Sequence, residues 1–312
     1  MKKAFVLITV VCLSISSVAL ADTFAEGTTN EFEIEFVTIS GDASSANGTY
    51  IGSDKLFSDP DNNYRMGTYE ITNDQWNKFK TEYGAVTGSP SIGYDETSLW
   101  TGTNVPANNV SWYEAAQFVN WLNTSTGHYA AYKFTGTRGT DDYAFVPWSI
   151  SDTGYDASNP YRNSNAYYFL PTEDEWVKAG YWNGTNLQTY ATVDGSVPIK
   201  GVDSNYYYAV GQPWDVGSGS QELNGTFDMM GNILEWMENP YTPENYTSYA
   251  FRTSRGGHYN QGEYWFNLST LHNSVDAHAE AYGLGFRVAS VIPEPATFLL
   301  VSIGAVMMRR RK

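Results

Sequence analysis

Gly225-Thr226-Phe227-Asp228-Met229-Met230-Gly231-Asn232-Ile233-Leu234-Glu235-Trp236 is the segment on which our fold prediction rests. Its Gly231-Asn232 pair is typical of a turn. Glu235 follows Asn232 by three residues, so a carboxylate and an amide oxygen can both reach one hard cation such as calcium, which takes about six to eight oxygen ligands. The alternative is a turn in which the same side chains cap backbone groups and hold no metal.

Upstream of this segment, three helices are predicted by capping boxes, in which a Ser or Thr precedes the helix and a Glu or Gln follows three residues later. The boxes begin at Thr72, Ser111 and Thr172, and we expect the third helix to stop at Gly180. Residues 32–37 alternate apolar and acidic side chains, as half-buried strands do. Few helices among many turns predict an α+β domain with low regular content.

The amino terminus has the pattern of a secretory signal peptide. Lys2 and Lys3 precede an apolar run over 4–18, and small residues follow that end at Ala21. The run is shorter than the roughly 20 apolar residues that a membrane-spanning helix needs, which disfavours a permanent anchor. We therefore predict that signal peptidase removes residues 1–21.

The carboxyl terminus has three parts, which are Pro293-Glu294-Pro295, an apolar stretch over 298–308 and four basic residues. As a helix, the apolar stretch rises about 16 Å, which is short of the roughly 30 Å hydrocarbon core. This end resembles a PEP-CTERM sorting signal, whose tail an exosortase removes. The resemblance implies a sorting signal at 291–312, transient anchoring in the inner membrane of a Gram-negative-type bacterium, and release to the cell surface or extracellular matrix. The alternative is an ordinary tail anchor.

Between these ends, residues 22–290 contain no repeat or linker that would divide them, so one domain is predicted. Five segments of it, in this order, resemble the formylglycine-generating enzyme family, also called sulfatase-modifying factor domains. They are 66–73, 104–116, 169–176, 225–236, and 255–257 with 283–287. The resemblance implies a single compact α+β domain related to the C-type lectin fold, with little regular secondary structure.

The same resemblance implies bound calcium with a structural role. In the family, the motif at 225–236 binds one ion, and an upstream Asn with the next carbonyl binds another. The segment that would complete the upstream site is shorter here, between Tyr208 and Gly225. The ligands implied are Asn232, the Ile233 carbonyl, Glu235, Asn205 and the Tyr206 carbonyl.

Cysteine usage argues against the family's oxidase activity. Members that make formylglycine use two thiols to hold copper(I), a soft ion that thiolates suit. In this sequence Trp265 and Thr270 occupy those positions approximately, and the single cysteine, Cys12, lies in the predicted signal peptide. We therefore expect neither copper nor formylglycine-generating activity in the mature chain.

Three functions stay open. The first, which we favour, is a non-catalytic binding or matrix protein that holds a glycan, a peptide or a neighbouring protein on aromatic side chains. The second is an oxidoreductase or other metal-dependent enzyme built on His258, Glu263, His272 or His278. The third is a structural component that self-associates and has no specific ligand. The residues that the first function would use are His258, Tyr259, Glu263, Tyr264 and Trp265.

Charge narrows the choice of partners. The chain has 34 acidic and 18 basic residues and a net charge of −16. Such a body repels phosphate backbones, so no nucleic-acid partner is expected. The predicted partners are signal peptidase and exosortase during export, and extracellular polysaccharide or matrix proteins afterwards.

Overall fold

All three predicted helices are present, and each begins at its capping box. The computed structural model describes residues 20–52, 54–269 and 272–293. The α-helices within these ranges are α1 (Asn73–Tyr83), α2 (Trp112–Ser125) and α3 (Glu173–Tyr181). The prediction that α3 stops at Gly180 is wrong by one residue. Tyr181 stays helical because it is buried and its hydroxyl donates to the Phe266 carbonyl at 2.7 Å.

Eleven short strands are found in the described ranges. In chain order they are β1 (Leu20–Phe24), β2 (Phe32–Ile39), β3 (Tyr64–Gly67), β4 (Phe134–Thr135), β5 (Ala144–Phe145), β6 (Tyr168–Phe169), β7 (Leu234–Pro240), β8 (Arg252–Arg255), β9 (Asn273–Val275), β10 (Leu284–Gly285) and β11 (Ala289–Val291). Short 3-10 turns lie at Ser44–Ala46, Ser91–Gly93 and Glu263–Phe266. The strand expected over 32–37 is therefore confirmed and continues to Ile39 as β2.

Two sheets organise these strands. The first has the order β1-β2-β3-β11-β6 and is antiparallel throughout. It contains both the first and the last strand of the described domain. The second has the order β10-β7-β8-β9, with β10 parallel to β7 and the other neighbours antiparallel. Strands β4 and β5 form a separate antiparallel pair. These connections place β7, which follows the Gly231-Asn232 turn, in the middle of the second sheet.

Aromatic side chains fill most of the core. Helix α2 is buried from Trp112 to Asn123, so it lies inside the domain and not on its surface. Its Phe118 packs with ring centroids 5.0 Å from Phe79 of α1 and 5.3 Å from Phe286. A second cluster of buried side chains surrounds Trp176 of α3. Packing therefore explains the bulk of the aromatic content, as large rings bury about 150–250 Å² each.

The five sequence motifs converge on the segment that ends at Trp236. The Trp236 indole donates to the Val110 carbonyl at 2.8 Å, and the Gly231 N–H donates to the Gly256 carbonyl at 2.7 Å. The Asn232 amide donates to the Glu70 carboxylate at 2.6 Å. Trp176 and Arg287 both donate to the Glu235 carboxylate, and Arg287 also donates to the Phe227 carbonyl at 2.9 Å. The motifs thus form one connected hydrogen-bond network.

The predicted export signals fall mostly outside the described residues. Residues 1–19 and 294–312 lie outside them, while Leu20 and Ala21 pair with Phe36 and Glu35 in the first sheet. Cleavage after Ala21 would leave Asp22 at the start of β1, where its carboxylate binds buried Arg65. In the described part of the chain, no helix is both long and apolar enough to span a membrane.

Candidate ligand-binding site

The loop after β8 is shaped by two glycines. Gly256 and Gly257 have φ values of 96° and 69°, which L side chains rarely adopt. This turn leads to His258, and the Tyr259 N–H donates to the Asn232 carbonyl at 2.9 Å. The loop is therefore anchored directly on the Gly231-Asn232 turn.

His258 is the polar side chain at the centre of this region. Its Nδ1 is buried and has no hydrogen-bond partner among residues 20–52, 54–269 and 272–293. Burial lowers the pKa of His258 to about 4, because a charged imidazolium would lose its hydration there. Gly283 makes room for the ring, since a Cβ at that position would lie 3.0 Å from the His258 Cγ. At neutral pH the ring is uncharged and has one unused hydrogen-bonding nitrogen.

Tyr259 lies in a cluster of rings beside His258. The ring centroids of Trp100, Tyr208 and Tyr282 lie 5.9, 6.1 and 6.4 Å from that of Tyr259. The His258 centroid lies 5.8 Å away. Tyr259 is buried, whereas Tyr208 and Tyr282 are 60% and 42% exposed. We call the surface formed by Trp100, Tyr208, His258, Tyr259 and Tyr282, together with Tyr207, which is next to Tyr208 in the chain, the aromatic face.

Two tyrosines of the aromatic face have strained backbone conformations. The φ values of Tyr207 and Tyr208 are 48° and 57°, in the left-handed region, where a non-glycine residue costs about 1–2 kcal/mol. The Tyr207 N–H donates to the Gln261 carbonyl at 2.7 Å, and the Tyr208 N–H donates to the Tyr259 carbonyl at 2.8 Å. Both side chains remain exposed. Backbone strain of this kind clusters at functional sites.

The structure brings together part of the predicted binding set. His258 and Tyr259 belong to the aromatic face, and the predicted residues Glu263, Tyr264 and Trp265 form the 3-10 turn that follows it. Glu263 and Tyr264 are exposed, and Trp265 is half-buried. Our sequence reasoning missed four members of the face, which are Trp100, Tyr207, Tyr208 and Tyr282. The run of three tyrosines at 206–208 was the one available signal.

Comparison with known proteins identifies the family. Residues 58–292 match the family described as the sulfatase-modifying factor enzyme 1-like domain. The chain belongs to this family. A relative, the chaperone protein LppX of Paenibacillus barcinonensis, is 24% identical over 269 residues, which cover 76% of this chain and 83% of LppX.

Solved structures share the fold of this family member. Treponema denticola variable protein 1 superposes with a TM-score of 0.61 at 18% identity, over 88% of this chain and 99% of that one. CarF gives 0.58 at 20% identity, over 83% and 99% of the two chains. PvdO from Pseudomonas aeruginosa gives 0.57 at 14% identity, over 88% and 98%. The predicted α+β fold related to C-type lectins is confirmed.

Trp265, which aligns approximately with one of the family cysteines, lies beside the Gly256-Gly257 turn. A Cβ on Gly257 would lie 3.3 Å from the Trp265 Cβ, so an indole fills the space behind this turn. Thr270, the second aligned position, lies outside the described residues. The single cysteine of the chain, Cys12, lies outside them as well.

The predicted calcium ligands are arranged differently from our expectation. Both oxygens of buried Glu235 bind Arg287, at 2.6 and 2.7 Å, so this carboxylate is neutralised and does not fit a calcium ion in this arrangement. The Asn232 amide oxygen accepts from the Trp214 N–H at 2.9 Å and from the Asn205 amide at 3.2 Å. The Asn205 amide oxygen is buried with no partner among the described residues.

Calcium binding therefore stays a prediction, and the implied ligand residues suit a calcium ion only in part. The free Asn205 oxygen is the donor that best fits a cation. The Tyr206 carbonyl, also implied by the resemblance, accepts from the Ala209 N–H at 3.0 Å. The Ile233 N–H donates to Glu70 at 3.2 Å, and this carboxylate is the acidic group that adjoins Asn232.

Several buried carboxyl groups surround the single guanidinium of Arg287. Glu235 pairs with it directly, and Glu70 and Glu222 lie close enough to raise its pKa. Burial raises the pKa of Glu222 to about 8 and raises the pKa of Glu70 and Asp228 as well. Glu222 is therefore mostly protonated at neutral pH, which limits the charge that the interior must hold.

The three histidines near the carboxyl terminus have different partners. His272 Nε2 lies 2.8 Å from Asp54, and its Nδ1 lies 3.2 Å from Glu173. His278 Nδ1 lies 2.7 Å from Asp276 at the surface. The part of the chain that the structure describes contains no group of three His, Cys, Asp or Glu side chains that could hold a metal ion. It does not bring His258, His272 and His278 into one site.

Proposed function

We propose that this chain is an exported, non-catalytic member of the family that binds extracellular polysaccharide through its aromatic face. The observation that carries this proposal is the pair of exposed rings at Tyr208 and Tyr282, which meet at Tyr259 beside His258, with exposed Tyr207 next in the chain. Rings of this kind stack on sugars, and a neutral imidazole nitrogen can bond to a hydroxyl. A peptide or a matrix protein is the other class of ligand that such a face would suit.

Two further observations support a binding role. Tyr207 and Tyr208 combine a left-handed backbone, which costs stability, with exposed rings, and backbone strain of this kind clusters at functional sites. The relative LppX is named a chaperone and not an oxidase. The chain itself has one cysteine, so a mature form without Cys12 would have no thiol for copper(I).

Export and processing are part of the same proposal. Signal peptidase would remove residues 1–21, and an exosortase would recognise Pro293, Glu294 and Pro295 and release the domain to the cell surface or matrix. Of these motif residues, Pro293 is the last one that the structure describes. Calcium, if bound at Asn205 and Asn232, would have a structural role.

Polysaccharide binding can be tested with single substitutions on the full chain. Tyr208→Ala and Tyr282→Ala should each weaken co-sedimentation with polysaccharide from the producing bacterium about three- to tenfold, because a stacked ring contributes roughly 0.5–1.5 kcal/mol. Tyr249→Ala is the matched control, since Tyr249 is 63% exposed and lies outside the aromatic face. Equal binding by all three variants and the unchanged protein would contradict the proposal.

The enzyme alternative depends on one feature, the unpartnered Nδ1 of His258. It predicts stoichiometric iron, copper or zinc in the purified chain, which elemental analysis would detect. The structural alternative predicts self-association without any polysaccharide, which light scattering with and without a calcium chelator would detect. Binding lost in Tyr208→Ala, with neither of these signals, would favour the aromatic face.

A further inference from the structure

A cavity of about 530 Å³ opens at the start of α3, away from the aromatic face. Its lining includes Lys55, Ser58, Arg162, Asp174 and Tyr241, and it shares no residue with that face. The volume lies in the range of small-molecule sites, about 300–1,000 Å³. We call it the α3 cavity.

Almost every charged group that lines the α3 cavity already has a partner of opposite charge. Lys55 Nζ lies 2.8 Å from Asp174, and the Arg162 guanidinium is shared between Glu175 and Glu238 at 2.8–2.9 Å. The other two pairs are Asp59 with Lys178 at 2.7 Å and Glu173 with Arg255 at 2.5 Å. Glu244 at the rim is the one lining charge for which the described residues provide no ion pair. An anionic ligand would have to displace a carboxylate from its cation, which is costly at Arg162 and Lys178 because both are largely buried.

The amino terminus of α3 offers no anion site either. The Glu173 N–H donates to the Asn239 amide oxygen at 2.7 Å, and the Glu175 N–H donates to the Thr172 hydroxyl at 3.2 Å. The acidic side chains Glu173, Asp174 and Glu175 occupy the first turn, where they interact favourably with the helix dipole. The protein's own groups thus take the place that a bound anion would take.

Uncharged hydrogen-bonding groups and two tyrosines complete the lining. The Asn159 amide oxygen is buried and has no partner within the described ranges. The Ser58 side chain is exposed, and Tyr241 and Tyr246 are half-buried. The Asn159 oxygen has almost no accessible surface, so a hydroxyl or water in the cavity would satisfy it only after a small shift of the lining. Hydroxyl groups and a pyranose ring match this mixture of polar and aromatic groups better than an apolar ligand does.

We infer that the α3 cavity binds a short neutral saccharide, separately from the polysaccharide that we assign to the aromatic face. The fixed ion pairs provide oriented donors and acceptors for hydroxyl groups. Because Arg162 is shared by two carboxylates and Glu244 has no ion pair in the described part of the chain, the net charge around the cavity is negative and disfavours an anionic sugar. The cavity volume suits about two or three sugar rings. With two sites, one protein molecule can bridge two polysaccharide chains or two positions of the same polysaccharide chain.

Calorimetric titration of the full chain with neutral and charged trisaccharides tests this inference. The neutral probes are maltotriose, cellotriose and triacetylchitotriose, and the anionic probe is trigalacturonate. We expect at least one neutral trisaccharide to bind, with an affinity that is unchanged between low and high salt, and trigalacturonate to bind more weakly than that probe.

Substitutions then locate the binding site. Ser58→Trp should fill the cavity and reduce the affinity about tenfold or more, whereas the matched surface change Ser218→Trp, outside the cavity, and the aromatic-face variant Tyr208→Ala should leave it unchanged. Circular dichroism confirms that Ser58→Trp is folded. The inference is overturned if no neutral trisaccharide binds, if trigalacturonate binds more tightly, if folded Ser58→Trp retains full affinity, or if Tyr208→Ala loses it. The last result would assign the binding to the aromatic face, so the two proposals can fail separately.

Discussion

The substitution Gly283→Ala tests how the protein holds His258. A Cβ at this position would lie 3.0 Å from the His258 Cγ and 3.2 Å from its Cβ and Nδ1. Contacts this short force the neighbour to move, and overpacking of a tight site costs roughly 1–3 kcal/mol. The imidazole is at the edge of the exposed aromatic face, so the ring should shift toward solvent.

The size of the effect follows from the pKa of His258. Burial lowers this pKa from 6.5 to about 4, and each pKa unit corresponds to about 1.4 kcal/mol, so burial disfavours the charged ring by roughly 3 kcal/mol. Because the pKa is lower in the folded state, the folded protein binds this proton less tightly than the unfolded chain does. The free energy of unfolding is therefore highest above pH 6.5, and this part of the stability is lost as the pH falls toward 4. In Gly283→Ala the pKa should rise toward 6.5, and the loss of stability at acidic pH should shrink.

Proton NMR titration of the imidazole signals measures this directly. The chain has four histidines, so His258→Gln assigns the signal by its disappearance. Gly262→Ala is the control in the same loop, since the nearest atom to its new Cβ is 3.8 Å away. The reasoning is refuted if His258 titrates near 6.5 in the unchanged protein, or if Gly283→Ala leaves its pKa where it was.

Three other predictions concern stability. The raised pKa of Glu222 favours its protonated form in the folded state, so the unchanged protein should lose up to roughly 5 kcal/mol of stability as the pH rises from about 4.5 to 8. Glu222→Gln should remove this loss. Parallel pH profiles of the two proteins in urea denaturation would argue against this. Arg287→Met should destabilise the fold by about 3–5 kcal/mol, because it leaves Glu235 charged and unpaired. Adding Glu235→Gln should recover part of this loss. A double variant no more stable than Arg287→Met would be inconsistent with an uncompensated charge. Tyr207→Asn should raise the melting temperature, since Asn tolerates the left-handed conformation, while polysaccharide binding weakens; a lower melting temperature would count against the strain argument.

The local parts of the fold were predictable because their causes are local. The capping boxes at Thr72, Ser111 and Thr172 need four consecutive residues each, and all three begin a helix. The alternation over 32–37 likewise marks a strand. The ordered set of motifs also identified the family, since their spacing reflects one network around Trp236.

The candidate site was less predictable because it depends on contacts distant in sequence. Trp100, Tyr208 and Tyr282 meet at Tyr259 although they are far apart in the sequence, and no periodic pattern of residues predicts such contacts. For the same reason the sequence did not predict that Glu235 pairs with an arginine 52 residues away. The burial of His258 depends on Gly283, which has no Cβ to occupy the space that the imidazole takes. This contact can be recognised from the structure but not from the sequence.

Chemical-shift mapping with polysaccharide from the producing bacterium tests the central claim most directly. We predict that the largest perturbations of the tyrosine ring signals fall on Tyr207, Tyr208 and Tyr282, with Tyr249 unchanged. Perturbations confined to residues outside the aromatic face, or none at saturating polysaccharide, would contradict the assignment of this surface as the binding site.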